Sequence, residues 1–189
     1  MFEKYMTMDF AVDIGISIGI LLLFFAFRKI FTKYLFNLIL KLTNKTKTDF
    51  FNQVVLAFEK PARWFFAILG IYLAIIYSPF FEGHMGIVHK LYRVSVILVI
   101  VSGLYNLTAA SSVLFDKINK RLELDMDDIL APFLSKILRF IIVALGISVI
   151  AGEFNYDVNG FVAGLGLGGF AFALAAKDTV GNFFGGIVI

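Results

Sequence analysis

Long apolar runs separated by short charged clusters set the pattern of this chain. Between residues 10 and 27 only Asp13 is charged, and 62–81, 91–115, 133–152 and 158–176 are nearly as apolar. A membrane-spanning helix needs about 20 mostly apolar residues, so the pattern predicts five spans over those ranges. Lys136 and Arg139 fall in the first turns of the fourth, where their stems are expected to snorkel to the interface. Pro61 and Pro132 precede the second and fourth runs, where a missing amide proton costs least.

Composition turns this pattern into a class. Hydrophobic residues make up 60% of the chain and charged residues 16%, against about 25% charged in an ordinary soluble domain. A soluble domain of this length could not hide so much Phe, Ile and Leu, so the chain reads as an all-α membrane protein. Cysteine is absent, which removes disulfide and thiolate chemistry. No basic tract interleaved with aromatics points to nucleic acid. His84 and His89 lie in a short loop without clustered ligands, and no triad, phosphate loop or metal set is present. The residues imply no enzyme and no cofactor. Glu3, Asp9 and Asp13 make the N-terminus a poor signal peptide, so the first run reads as an uncleaved span.

Charge placement predicts orientation. The segments 28–63 and 117–139 hold eight and five basic residues; the opposite side holds Lys4, Lys90 and Arg93. Thirteen against three puts the N-terminus outside and the C-terminal end inside. The basic residues between Lys33 and Lys47 can be read as anionic-lipid contacts or, as the default, as topology-setting charge. A shift of 76 residues also superposes Asp49 on Asp125, Lys60 on Lys136, Arg63 on Arg139 and Gly70 on Gly146. Either the first four spans are two related helical hairpins, or two spans running the same way share ordinary basic flanks.

The fifth run differs from the rest. Ten of the seventeen residues from Gly160 to Ala176 are Gly or Ala. At about 100° per residue, Gly160, Gly164, Gly168, Ala171 and Ala175 form one small stripe. Gly166, Gly169, Ala173 and Ala176 form a second, roughly opposite. Leu167, Phe170 and Leu174 occupy one bulky face between them, and Phe161, Leu165 and Phe172 the other. Small residues let helices approach closely in a membrane. Two such stripes suit a helix with an identical neighbour on each flank, and equally a central helix within one bundle. Periodicity leaves open which bulky face would line a central hole. After Ala176, Lys177 and Asp178 interrupt the apolar run, and Asp178 or Thr179 could cap a new helix. A kink near 177–179 is expected, followed by an amphipathic piece along the interface. Lys177 and Asp178 read as an intersubunit pair or as an ion site.

The run from Ala163 to Gly186, with its Ala-Lys-Asp-x-x-x-Asn-Phe-Phe-x-Gly stretch, resembles the third, pore-lining helix of the small-conductance mechanosensitive channel (MscS-like) family, especially its larger five-span members. The resemblance implies a homoheptamer of a multi-pass inner (plasma) membrane protein. It implies a pore helix over 158–189 and lipid-facing, tension-sensing helices over 1–157. Two apolar rings match Phe170 and Leu174, with Leu167 also lining the pore. Packing between neighbouring helices matches Gly164, Gly168 and Ala171 on one stripe and Gly166, Gly169 and Ala173 on the other. Lys177, Asp178, Asn182 and Gly186 fall at the kink and interface, although the prototype bends at a glycine where this chain has Asp178. Family members continue into a cytoplasmic β-domain, absent from this chain, which stops at Ile189 in mid-helix and so reads as part of a longer protein.

The implied activity is opening under membrane tension and release of ions and small osmolytes on hypo-osmotic shock. Its partners are its own copies, membrane lipids and permeating ions. The competing reading is a secondary transporter with a Gly-broken helix. Against it, the main polar cluster at mid-depth, Asn106, Thr108, Ser111 and Ser112, is explained by interhelical hydrogen bonds.

Overall fold

The computed structural model describes residues 8–43, 49–122 and 130–187, and these are helical apart from short turns. The helices are α1 (Met8–Thr43), α2 (Asp49–Ile76), α3 (Met85–Leu122), α4 (Leu130–Glu153) and α5 (Asn159–Ile187), with a 3₁₀ segment at Pro79–His84 between α2 and α3. The chain divides into two compact units, 1–146 and 147–189.

In the first unit α2 packs antiparallel between α1 and α3. Each helix meets the next where a glycine lacks a side chain. A Cβ built on Gly70 of α2 would lie 2.3 Å from Phe24 Cβ of α1. One on Gly103 of α3 would lie 2.2 Å from the ring of Phe58 of α2, and one on Gly146 of α4 2.6 Å from a methyl of Val101 of α3. Close backbone approach through small residues is how helices gain packing where lipid tails already satisfy apolar side chains.

The 76-residue shift acquires physical content here. Gly70 and Gly146, its two superposed glycines, each seat a side chain of the preceding helix. Thr32 and Thr108 stand at the same spacing and are both buried, 0% and 3% exposed. The two arginines diverge. Arg63 is ion-paired with Glu59, one turn back on α2. The residue equivalent to Glu59 is Ser135, and Arg139 instead reaches α3: its Nε donates to Thr108 Oγ1 at 3.1 Å, and its guanidinium lies 4.9 Å from the Tyr105 ring centroid. Arg139 therefore turns inward rather than snorkelling freely, while Lys136 is exposed.

Among the described residues four helical stretches are long and apolar enough to cross a membrane: Phe10–Ile39, Met85–Thr108, Ser135–Glu153 and Asn159–Asp178. The fourth and fifth expected spans match closely. The first continues beyond 27 because neither Pro nor Gly follows Gly19 within α1. The third starts earlier than expected, at Met85, directly after the 3₁₀ segment.

The second span departs most from expectation. Its helix starts at Asp49 and ends at Ile76 rather than covering 62–81. The ending is set by Pro79, whose ring disfavours α conformation in the residue before it. Ser78 is accordingly extended, with φ −84° and ψ 124°. Beyond Arg63 the helix has only Trp64 to Ile76 as a charge-free run, about 20 Å at 1.5 Å per residue against a hydrocarbon core of about 30 Å.

Pro61 lies inside α2, not ahead of it, and is fully buried. An interior proline removes the bond its amide would give to the carbonyl four residues earlier, here that of Ala57. The structure supplies a substitute. Asn106 Nδ2 of α3 donates to Ala57 O at 3.2 Å. The polar residues Asn106 and Thr108 thus bond to α2 and α4 respectively, as interhelical hydrogen bonds; the side chains of Ser111 and Ser112 lie outside the described ones.

Candidate pore helix

A short turn leads into α5. At the end of α4 Asn155 adopts φ 63°, a left-handed conformation that Asn tolerates better than most residues. Tyr156 N–H donates to Ala151 O at 3.1 Å and Asn155 N–H to Gly152 O at 3.0 Å, the paired bonds of a Schellman motif. The chain then restarts. Asp157 Oδ1 accepts from the Asn159 amide at 3.0 Å, satisfying one of the free N–H groups that open a helix.

From there α5 runs unbroken to Ile187. The expected interruption at 177–179 is not present as a break in the helix, and no second helix starts there. No proline lies between Asn159 and Ile187, so each residue can donate to the carbonyl one turn back. Asp178 is spent inside the helix rather than capping a new one.

The helical spacing puts Leu167, Phe170 and Leu174 on one face. They are 71%, 65% and 57% exposed. On the other bulky face Phe161 and Phe172 are 49% and 57% exposed. Gly164, Gly168 and Ala171 on one flank, and Gly166, Gly169 and Ala173 on the other, are all exposed. A Cβ built on any of those four glycines would meet nothing within 4 Å, in contrast to the occupied sockets at Gly70 and Gly103. Lys177, Asp178 and Asn182 are exposed, and Gly186 falls within the last turns.

Elsewhere, His84 and His89 are exposed, and His89 Nδ1 shares a 3.0 Å hydrogen bond with Tyr72 Oη, whose ring stacks on Tyr92. Among the described residues no group of His, Cys, Asp or Glu could hold a metal ion. The residues that sequence reasoning undervalued are Pro61 and Arg139. The signal for the first was its position after an amphipathic stretch starting at Asp49. For the second it was the Ser135 that takes the place of an acidic partner.

Described residues that are helical apart from short turns, with several stretches able to cross a bilayer and one of these an uncovered Gly/Ala helix, define a multi-span membrane protein. Residues 136–177, covering most of α4 and the first two thirds of α5, match the family model described as "Mechanosensitive ion channel, transmembrane helices 2/3". Over 187 residues the chain is 64% identical to the uncharacterized MscS family protein YhdY of Bacillus subtilis, which covers 99% of this chain and 50% of the relative. It is 28% identical over 176 residues to an uncharacterized MscS family protein of Aquifex aeolicus, covering 92% of this chain and 47% of the relative. A 72-residue stretch, 38% of this chain and 21% of the relative, is 36% identical to the small-conductance mechanosensitive channel MscMJ of Methanocaldococcus jannaschii. The chain spans about half the length of the first two of these relatives. No solved structure matches. The matches place the chain in the MscS-like family.

Proposed function

We propose that this chain is the membrane portion of a homo-oligomeric mechanosensitive channel, opened by bilayer tension and releasing ions and small osmolytes under hypo-osmotic shock. The carrying observation is the state of α5. Its bulky face of Leu167, Phe170 and Leu174 and both of its small-residue flanks are uncovered in the single chain. Small residues on two opposite flanks fit a copy of the same helix on each side, which is what a closed ring requires. Seven copies follow from the family resemblance.

In such a ring Phe170 and Leu174 form two apolar constrictions one turn apart, with Leu167 one turn further out. A narrow apolar neck dewets, so ions do not pass although no atom plugs it. Tension favours the state of larger in-plane area and shifts a pre-existing closed–open equilibrium. Residues 1–157 form the lipid-facing, tension-sensing part and 158–189 the gate. A bend near Lys177 and Asp178, in the assembled ring, would turn the end of α5 along the inner interface. Asn182 and Gly186 would then lie at intersubunit contacts.

We read the protein as crossing an inner (plasma) membrane five times, N-terminus outside. The three basic residues outside against thirteen inside support the orientation. The antiparallel packing of α2 between α1 and α3 supports the extra crossing. If α1 and α3 both run from outside to inside, α2 must return, its short apolar run supplemented by snorkelling at Lys60 and Arg63.

The test is patch clamp of the full-length protein in liposomes under a suction ramp, with unitary currents above a tension threshold as the expected result. Saturable solute flux without unitary currents would replace the channel by a transporter. The ring has its own test: residues 1–189 hold no cysteine, and any cysteine elsewhere in the full-length protein is first replaced by serine. An Ala171→Cys, Ala173→Cys double variant should crosslink between subunits into a ladder ending at seven; only monomers would rule the ring out.

A further inference from the structure

We propose that the inner third of α1 is a docking surface for an anionic phospholipid surface. Helix α1 has 36 residues, about 54 Å of helix, whereas the hydrocarbon core is about 30 Å thick. A crossing that begins at Phe10 is complete after about 20 residues, near Lys29. The residues that follow, 30–41, lie at or beyond the headgroup level.

That segment does not carry the all-polar surface that water would favour. Ile30, Tyr34 and Leu38, four residues apart, are 53%, 73% and 58% exposed. About 100° round the helix from the first two of them stand Lys29 and Lys33, exposed, with exposed Lys41 two turns further on. The face that packs inward is different again: Thr32 and Phe36 are 0% and 8% exposed, and Thr32 Oγ1 donates to Arg28 O at 2.6 Å. An apolar stripe bordered by lysines suits a helix that passes out through the headgroup layer, where long basic side chains snorkel to the lipid phosphates.

Charge decides the kind of lipid. Between Ile14 and Thr43 the sequence holds Arg28, Lys29, Lys33 and Lys41 and no acidic residue. On the neighbouring helix, by contrast, Arg63 is ion-paired with Glu59. A lysine near an anionic leaflet contributes about 1 kcal/mol, about a fivefold preference per charge. The segment lies outside residues 136–177, which match the transmembrane family model.

Trp64 makes the proposal measurable. It is the single tryptophan of the chain, 66% exposed. The antiparallel register that sets Phe24 against Gly70 brings Trp64 level with Ile30. The full-length protein, with any tryptophan outside residues 1–189 replaced by phenylalanine, is reconstituted in phosphatidylcholine vesicles containing brominated phosphatidylglycerol or brominated phosphatidylcholine, and quenching of Trp64 gives the relative affinity of the two lipids. The expected result is a preference for phosphatidylglycerol of about fivefold or more. It should fall towards one in Lys29→Gln, Lys33→Gln, Lys41→Gln protein, and in the native protein as salt rises. Equal quenching by both lipids in the native protein, or a preference that survives the triple substitution, overturns the proposal. If the triple variant loses its helicity, Lys33→Gln alone and the salt series decide the same question. Channel activity is not read in any arm, so failure here and failure of the gating reading are separate results.

Discussion

Asn106 should matter to this fold only because Pro61 is where it is. Pro61 leaves the Ala57 carbonyl without its helical donor, and Asn106 Nδ2 fills the gap at 3.2 Å from α3. The carbonyl sits at a buried position: Ala57 is 7% exposed and Pro61 less than 2%. Leaving a buried acceptor unpaired costs about 1–3 kcal/mol, while interhelical hydrogen bonds in membranes average about 0.6 kcal/mol with a maximum near 1.7. Asn106→Leu should therefore destabilise the native protein by about 1–2 kcal/mol. In a Pro61→Ala background the new amide at position 61 can donate to Ala57 O, so the same Asn106→Leu change should cost well under 1 kcal/mol. The two substitutions should thus couple by about 1 kcal/mol, and sites without shared partners add within about 0.5 kcal/mol. The assay is reversible unfolding of the full-length protein in mixed micelles, followed by helical circular dichroism and Trp64 emission. An additive cycle, or an Asn106→Leu variant as stable as the parent in the presence of Pro61, refutes the reasoning.

Three further outcomes follow from other parts of the molecule. Phe170→Ser or Leu174→Ser should hydrate the proposed constriction and lower the opening tension in patch clamp; thresholds unchanged in both would remove these residues from the gate. Asn155→Val should cost about 1–2 kcal/mol, because a β-branched residue resists φ near 63°, whereas Asn155→Gly should be neutral or slightly stabilising in the same unfolding assay. Gly70→Ala should cost more than Gly103→Ala, within the range of about 1–3 kcal/mol typical of overpacking. The new methyl at residue 70 meets Phe24 Cβ, fixed to its backbone, whereas at residue 103 it meets only the Phe58 ring, which can rotate. Equal losses at the two glycines would show that the helices shift instead of the side chains.

Much of the architecture was legible because lipid imposes a simple rule: a crossing helix must be long, apolar and internally hydrogen-bonded. Hydropathy located the runs ending in α4 and α5 to within a residue or two, and helical geometry sorted the residues of α5 into the faces that the continuous helix presents. The Ala-Lys-Asp and Asn-Phe-Phe spacing pointed to the family that the comparisons bear out. The second span misled for a local reason. Hydropathy ran smoothly across Ser78 and Pro79, but the backbone could not, and the polar start at Asp49 belonged to the same helix as the apolar run.

What the sequence determined by itself was the solvent each segment needs: apolar side chains along α1, α3, α4 and α5, charge at their ends, and small residues on two flanks of α5. Those are properties of single segments, and periodicity reads them directly. Only the tertiary structure decided which groups complete one another across helices. It set Asn106 against the carbonyl that Pro61 leaves free, Arg139 against Thr108 rather than an acid, and Phe24 in the space at Gly70. Those pairings depend on the register of one helix against the next. Register is fixed by the sum of many weak packing contacts, and no single stretch of sequence contains it.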